Sequence, residues 1–290
     1  MIEGYIIHLL ILIGIYVILT VSLNLALGYT GLLNLGHIGF FAIGAYTSAL
    51  LVKAGYPFGL AFILAGLLSA LFGFLLVRIT KKLKGDYFAL ATLAFMYVVY
   101  SILLNWQWLT RGPLGLPGIP KPEIFGFVFS SNVSYLALVA FFATLSVVVI
   151  WFIVKSPFGR LLEATRDDEM GLRVLGKNTF VLKYKAMAIS AFFAGIAGSL
   201  FAHYLSYIDP KTFLLPELIL LLTILIVGGI ASIKGSVISA FIIVLIPEIL
   251  RFVSLPSTII GPLRQIAYAL ILLLILFYRP RGLFGRIDLA

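Results

Sequence analysis

The chain has 290 residues, of which 62% are hydrophobic and 11% charged, and its formal net charge is +10. A soluble domain is about half apolar and about a quarter charged, so this composition excludes an ordinary water-soluble fold. We find no aromatic-basic pattern of the kind that binds nucleic acid, and we interpret the positive charge as contact with membrane lipid instead. The chain has no cysteine, which excludes a disulfide framework and thiol chemistry.

Nine segments are long and apolar enough to cross about 30 Å of hydrocarbon, which takes roughly 20 residues in a helix. They are 5–27, 36–54, 57–78, 87–105, 134–154, 184–205, 213–230, 235–252 and 263–279. The first segment lacks a basic start and a small-residue cleavage site, so we expect a span rather than a cleaved signal peptide. The predicted fold is an all-α membrane protein, a polytopic helical bundle of about nine transmembrane helices (8 to 10) in one domain, residues 1–290.

The sequence GYTGLLNLGHIG at 28–39 interrupts the apolar pattern after the first span. Its glycines predict a broken helix or a re-entrant loop that lines protein or water rather than lipid. Asn24, Asn34 and His37 flank this break, and we regard them as candidates for the translocation path. Polar contacts between helices are the alternative role for these three side chains.

The distribution of lysine and arginine predicts the orientation of the chain. Fifteen of the 21 basic residues fall on one side of the nine-span topology: Arg78, Lys81, Lys82, Lys84, Lys155, Arg160, Arg166, Arg173, Lys177, Lys183, Lys185, Lys234, Arg279, Arg281 and Arg286. The positive-inside tendency makes this side cytoplasmic, together with the C-terminus. The N-terminus is then outside, unless 28–39 re-enters. The loop 106–133 is external and forms either a partner-facing cap or a plain connector.

The chain shows no catalytic or metal-binding motif. GLRVLGKN at 171–178 resembles a phosphate-binding loop, but it lacks the final Ser/Thr and has helical flanks, so we expect no ATP binding by this chain. His8, His37 and His203 are too scattered to predict a metal site. For Glu217 and Glu248, which lie near the ends of spans, we expect snorkelling or an inter-helix hydrogen bond.

One stretch, 160–177, concentrates eight charged residues in eighteen. On a helical wheel, Leu161, Ala164, Leu172 and Leu175 share one face, whereas Met170 and Val174 protrude among the charges. This pattern predicts a short cytoplasmic helix within a loop at about 155–183. A solvated amphipathic loop is one interpretation of this pattern; against it, the exposed apolar residues suit docking into a groove of another protein.

The motifs SPFGRLLEATRDDEM (156–170) and LGKN (175–178) resemble the cytoplasmic coupling loop in permease subunits of branched-chain amino acid ABC importers. Stretches of the same family pattern occur at 22–46, 112–120, 183–200 and 276–285, so the resemblance covers nearly the whole chain. The family pattern has a small Ala-Ala pair where this chain has Gly171 and Leu172. Because glycine weakens a helix by about 1 kcal/mol relative to alanine, the length of the coupling helix is left open.

The resemblance implies a subunit of the cell membrane with no bound cofactor, because ATP is used by partner subunits. It implies three kinds of partner: a homologous permease subunit in a heterodimer, two ATP-binding subunits, and an extracytoplasmic solute-binding protein. By the same resemblance, the residues that couple to the ATPase are Arg160, Glu163, Ala164, Arg166, Asp167, Glu169, Met170 and Gly176, and they belong to the coupling helix and its stop.

Two other functions stay open at this point. The first is a related importer for urea, short amides or another small polar solute, which would share the coupling loop. The second is a stand-alone secondary transporter or a membrane-embedded enzyme, against which the absence of clustered ionisable residues in the spans argues.

Overall fold

The computed structural model describes residues 2–83, 85–124, 126–251, 257–279 and 281–285. Within them the chain is mainly helical, as the sequence predicts. The helices are α1 (Ile2–Asn24), α2 (His37–Lys53), α3 (Phe58–Ile79), α4 (Asp86–Asn105), α5 (Gln107–Thr110), α6 (Asn132–Lys155), α7 (Pro157–Asp167), α8 (Glu169–Val174), α9 (Thr179–Leu205), α10 (Leu215–Gly228), α11 (Ile233–Arg251) and α12 (Ser257–Tyr278).

Each of the nine apolar segments coincides with one of these helices. Among the described residues, six helical segments are long and apolar enough to cross a membrane: Glu3–Tyr29, Phe58–Ile79, Asp86–Asn105, Asn132–Lys155, Thr179–Leu205 and Gly261–Tyr278. Three shorter apolar helices accompany them, at His37–Lys53, Leu215–Gly228 and Ile233–Ile246. The multi-pass character is therefore confirmed, while the count of nine spans stays a prediction.

The helix breaks after α1, as the glycine-rich segment predicts. The last turn of α1 widens into a π-helix at Leu25–Tyr29. The chain then reverses through Gly31, whose φ of 71° lies in the left-handed region that glycine adopts without a steric penalty. The next helix, α2, runs to the opposite face of the molecule, where Lys53 Nζ donates to the carbonyl of Pro117 at 2.6 Å. The segment is thus followed by a full helix rather than by a re-entrant return.

The centre of the bundle is α9, which packs closely against α2 and α3. Small residues permit this approach. A Cβ added at Gly198 would lie 2.7 Å from the amide nitrogen of Ala45 in α2. One added at Gly195 would lie 2.6 Å from the carbonyl oxygen of Ala65 in α3. These crossings therefore require glycine, and they fix α9 between its two neighbours.

Short strands and 3₁₀ turns, which the sequence analysis did not predict, cover one face of the bundle. Strand β1 (Leu116–Pro117) pairs antiparallel with β4 (Tyr207–Ile208), and β2 (Glu123–Ile124) pairs with β3 (Phe127–Val128). We call this side the strand face, and the opposite side, which carries α7 and α8, the α7–α8 face. Because His8 Nδ1 lies 2.6 Å from the hydroxyl of Tyr204 at the end of α9, the start of α1 lies towards the strand face.

Candidate functional site

The charged stretch 160–177 folds as two helices, so the expectation of a single helix there is wrong. The first helix begins earlier, at Pro157, and is capped by Ser156, whose Oγ accepts from the amide of Gly159 at 3.3 Å. It ends at Asp167, because Asp168 leaves the helical region with φ −149° and ψ 90°. Asp168 instead caps α8, and its Oδ1 accepts from the amide of Gly171 at 2.9 Å. An aspartate whose side chain accepts from the backbone amide three residues later favours a helix start over a helix interior.

Gly171 is therefore not the residue that shortens the helix. It lies in the first turn of α8, directly beside the capping carboxylate. A Cβ added at Gly171 would lie 3.0 Å from the Cγ of Asp168 and still closer to one of its oxygens. The glycine makes room for the cap, and the pair Asp168–Gly171 sets the break between α7 and α8.

Gly176 ends α8, as the sequence resemblance implies. Its φ is 75°, and its amide donates to the carbonyl of Arg173 at 2.9 Å. The next amide, that of Lys177, donates to the carbonyl of Leu172 at 3.2 Å. This pair of bonds is a Schellman motif, which satisfies carbonyls that the end of a helix leaves free. Asn178 then caps α9, so helices flank GLRVLGKN on both sides, as predicted.

Glu169 attaches α8 to the start of α9. Its Oε1 accepts from Arg173 Nη2 at 2.6 Å and from Thr179 Oγ1 at 3.0 Å, and its Oε2 accepts from Lys183 Nζ at 2.8 Å. Burial alone would raise the pKa of this carboxyl group, but the hydrogen bond and charge of Lys183, with the hydrogen bonds of Thr179 and Arg173, outweigh it and lower the pKa below the ordinary value. The carboxylate is therefore ionised and fixed at neutral pH.

Arg166 points from α7 into the bundle rather than outwards. Its Nη1 donates to the carbonyl of Gly28 at 2.8 Å, and its Nε bonds Asp167 Oδ1 at 2.7 Å. Only 18% of the arginine side chain is exposed. Because Gly28 belongs to the π-helical end of α1, Arg166 joins α7 to the first helix of the bundle.

The outer surface of α7 and α8 combines free charge with apolar side chains. Arg160 is exposed and Glu163 partly buried, and neither forms an ion pair with any described residue. Met170 and Val174 are 63% and 85% exposed, which confirms that they protrude. We define the docking surface as Arg160, Glu163, Asp167, Met170, Val174 and Leu175, and Ala164 is half-buried at its edge.

The buried side of these helices differs from the helical-wheel expectation. Leu162, Thr165 and Leu172 are buried against the bundle, whereas Leu161 and Ala164 are only partly buried and Leu175 is 75% exposed. The wheel assumed one continuous helix. The break at Asp168 changes the direction of the chain, so a wheel drawn through both helices does not predict which residues are buried.

Asn24 lies fully buried where α1 meets the joint between α10 and α11. Its Oδ1 accepts from the amide of Ala231 at 3.0 Å. Its Nδ2 donates to the carbonyl of Ser232 at 3.2 Å and to Ser236 Oγ at 2.7 Å. These bonds use both ends of the side-chain amide, so in this conformation Asn24 connects helices.

Asn34 and His37 form a second buried cluster, which does not include Asn24. His37 Nδ1 lies 3.3 Å from Asn34 Nδ2, and His37 Nε2 lies 3.0 Å from Ser22 Oγ. Asn34 Oδ1 also accepts from the amide of Gly36 at 3.0 Å. His37 thus contacts α1 through Ser22, and Asn34 Nδ2 contacts Met187 Sδ of α9 at 3.5 Å. Both contacts agree with the inter-helix alternative, and a role in the translocation path stays a prediction.

Sequence reasoning missed the partner of Glu217. The carboxylate accepts a hydrogen bond of 2.5 Å from the hydroxyl of Tyr16, which joins α10 to α1. This is the inter-helix hydrogen bond expected for Glu217, but no local pattern reveals a partner about 200 positions away in the chain. The side chain of Glu248 lies outside the described residues.

A groove of about 410 Å³ lies among α1, α6 and α11. Apart from Gly14 and Thr144, apolar side chains line it, among them Leu10, Ile13 and Phe241. Such a lining offers no partner for the charged groups of a polar solute, so we do not assign the groove to solute binding.

The long apolar helices define a multi-pass membrane protein, and the α7–α8 face gives it an exposed surface of mixed charge and apolar side chains. A family model described as "Branched-chain amino acid transport system / permease component" matches residues 5–278. The chain belongs to this family of permease components, and it is a multi-pass protein of the cell membrane.

Named relatives agree with the family. The chain is 38% identical over 297 residues to the high-affinity branched-chain amino acid transport system permease protein LivM of Salmonella typhimurium, across 93% of this chain and 67% of the relative. It is 37% identical, with the same coverage, to the protein of that name in Escherichia coli. The autoinducer 2 import system permease protein LsrC of Escherichia coli is 29% identical over 72% of this chain and 60% of that relative. No solved structure matches the chain.

Proposed function

We propose that this chain is one permease subunit of an ATP-driven ABC importer for leucine, isoleucine and valine, and that it forms half of the translocation path. The observation that carries the proposal is the docking surface on α7 and α8. Three apolar side chains stand exposed among charges there, as in a surface that binds a groove of another protein. Two attachments hold this surface to the bundle, so a force on α7 and α8 reaches the membrane helices: Glu169 bonds Lys183, and Arg166 bonds Gly28.

We assign the α7–α8 face to the cytoplasm. Arg166 and Arg173 lie on this face, and contacts with the α10–α11 joint bring the C-terminal residues 281–285 to the same side as Lys234. Lys53 and Lys121 instead bond the loop and helix end of the strand face. The positive-inside tendency then favours a cytoplasmic C-terminus, and with the nine spans that we propose the N-terminus is external.

The partners that we propose are those of the family. Two ATP-binding subunits bind the cytoplasmic face, and one of them contacts α7 and α8. A homologous permease subunit completes the path as a heterodimer, and a solute-binding protein docks on the external loop 106–133. The chain itself binds no cofactor, because its partners hydrolyse ATP.

Reconstitution tests the function. The chain, its partner permease, the ATPase subunits and the solute-binding protein are placed in proteoliposomes, and ATP-driven uptake of labelled leucine is measured. We expect uptake and ATP hydrolysis to rise when the binding protein carries leucine, isoleucine or valine. Liposomes without this chain are the control. If none of the three amino acids stimulates ATP hydrolysis, the substrate assignment is wrong.

A related importer for a different small polar solute is the second candidate. The likeness to LsrC favours it, because that relative is named for the import of a different solute. The same vesicles distinguish the two candidates. Stimulation by urea, short amides or another polar solute, without stimulation by leucine, would support the second candidate and leave the role of α7 and α8 unchanged.

A further inference from the structure

The joint between α10 and α11, residues 229–232, contacts three separate parts of the molecule. The backbone there is unusual, since Gly229 has φ 100° and Ala231 has φ 58°. An alanine rarely adopts a left-handed conformation, so surrounding contacts must hold it. The contacts around the joint therefore determine which conformation it keeps.

The first contact comes from Asn24. Its side-chain amide bonds the amide of Ala231, the carbonyl of Ser232 and the hydroxyl of Ser236, so it spans the joint and the first turn of α11. A buried amide that lost these partners would leave polar groups unsatisfied. Asn24 and the joint therefore move together or not at all.

The second contact comes from Gly28, four residues after Asn24. A Cβ added at Gly28 would lie 2.6 Å from the amide nitrogen of Ala231 and would overlap Asn24 Oδ1. Because Gly28 has no side chain, the backbone of the π-helical turn packs directly against the joint. The carbonyl of the same Gly28 accepts the hydrogen bond from Arg166 Nη1 at 2.8 Å. One residue therefore contacts both α7 and the joint.

The third contact is the C-terminal segment 281–285. The amide of Leu283 donates to the carbonyl of Val227 at 2.8 Å, and that of Phe284 donates to the carbonyl of Gly228 at 3.1 Å. These carbonyls end α10 and would otherwise lack partners. A Cβ added at Gly282 would lie 2.8 Å from the Cα of Gly229, so the segment also packs closely on the joint.

We propose that Asn24 and Arg166 are positioning residues of the transport cycle, which transmit the movement of α7 to α10 and α11 through Gly28 and the joint 229–232. The inference rests on the proposed function, because it takes the ATPase subunits as the source of that movement. It assigns Asn24 to coupling rather than to solute contact.

A pair of serine variants tests the inference in the reconstituted complex. Ser236 and Ser69 are both fully buried, and each makes one hydrogen bond to another helix: Ser236 Oγ accepts from Asn24, and Ser69 Oγ donates to the carbonyl of Phe40 at 3.0 Å. Ser236 Oγ also donates to the carbonyl of Ser232 in the joint, at 3.1 Å. We expect Ser236→Ala to lower the leucine imported per ATP hydrolysed by roughly 5-fold or more, the lower end of a typical coupling energy. Ser69→Ala, which loses a comparable bond away from the joint, keeps the wild-type ratio.

Two further measurements separate coupling from folding. The chain has no cysteine, so a fluorophore on Lys234→Cys reports on the joint alone within this subunit. We expect its emission to change on nucleotide binding in the wild-type background, and this change to disappear with Asn24→Ala. In a double-mutant cycle, Asn24→Ala and Arg166→Gln should be non-additive in the uptake ratio.

The outcomes distinguish this inference from the proposed function. If the wild type imports leucine but Ser236→Ala and Ser69→Ala have equal ratios, or if the Lys234→Cys signal persists with Asn24→Ala, the inference is wrong and the proposed function stands. If the ATPase subunits do not bind the wild type, both are overturned. If they bind and only leucine fails to stimulate, the substrate assignment alone is lost, since the nucleotide-dependent signal still tests the joint.

Discussion

Glu169 of α8 and Lys183 of α9 form an ion pair of 2.8 Å, with 19% and 18% of their side chains exposed. The carboxylate also bonds Arg173 and Thr179, so one side chain holds the end of the exposed loop to a helix that crosses the bundle. Isolated surface ion pairs contribute little to stability. This pair is part of a network with low exposure, and its loss therefore has a measurable effect.

Glu169→Gln should detach α8 from α9. The variant loses the charge between Lys183 and Arg173, and we expect a local destabilisation of about 1–3 kcal/mol. Hydrogen exchange of the amides from Leu172 to Asn178 measures the change. Glu163→Gln is the matched control, because Glu163 forms no ion pair among the described residues. Equal exchange rates in the two variants would contradict the role of Glu169.

The same network predicts a dependence on pH. The pKa of Glu169 is lower in the folded protein than its unperturbed value of 4.5, so the unfolded segment binds protons more readily than the folded one. The stabilisation is therefore fully present above pH 4.5 and is lost as the pH falls through the lowered pKa. Hydrogen exchange of 172–178, corrected for intrinsic rates, should rise over that window in the wild type. With Glu169→Gln the same correction should leave a flat profile, and a rise there would point to another group.

Substitutions of Gly171 and Asp168 should have non-additive effects on the stability of α8. Gly171→Ala places a methyl group against the capping carboxylate, so we expect it to destabilise α8 although alanine is the better helix former. Asp168→Ala removes the cap at a cost of about 0.5–2 kcal/mol. In the Asp168→Ala background, however, Gly171→Ala should become favourable. Thermal unfolding of the purified protein with hydrogen exchange of α8 checks this sign change, and additive effects would refute it.

Replacing the exposed apolar residues of the docking surface by aspartate should weaken the binding of the ATPase subunits. Met170→Asp with Val174→Asp keeps the bundle intact, because both side chains are mostly exposed, but it should weaken binding of the ATPase subunits by about 2 kcal/mol, roughly 30-fold. Binding of purified ATPase to detergent-solubilised permease measures this. Leu114→Asp, which is 73% exposed on the strand face, is the control and should bind normally. Normal ATPase binding by the double variant would exclude α8 from the interface.

Gly198 should tolerate no side chain. Alanine there would press on the backbone of α2, and overpacking of this kind destabilises by about 1–3 kcal/mol. Gly59→Ala is the matched control: its Cβ would meet nothing within 4 Å, so we expect stability to stay within about 0.5 kcal/mol of the wild type. Thermal unfolding in one detergent compares the two, and similar midpoints would show that the α2–α9 contact is looser than described.

The sequence predicts most of what depends on local composition. The nine apolar segments coincide with helices, and the glycines at 28–39 predict the break after α1. Each of these features follows from residues adjacent in the chain. The exposure of Met170 and Val174 was also predictable, because the charges around them are local.

The remaining features depend on pairs of distant residues. Arg166 was expected to face a partner protein, and its contact with Gly28 spans 138 positions. Asn24 meets Ala231 across 207 positions, and a single sequence carries no signal for such a pair. The single-helix expectation for 160–177 failed for a local reason, since the capping preference of Asp168 outweighed the amphipathic pattern.

The length of α9 has a mechanical consequence. Its 27 residues span about 40 Å as one unbroken helix. At one end the adjoining strand β4 pairs with β1 of the loop 106–133, and at the other end Lys183 bonds Glu169. A force on the loop 106–133 would therefore be transmitted along one continuous helix to the opposite face, so the two faces are mechanically connected without any solute between them.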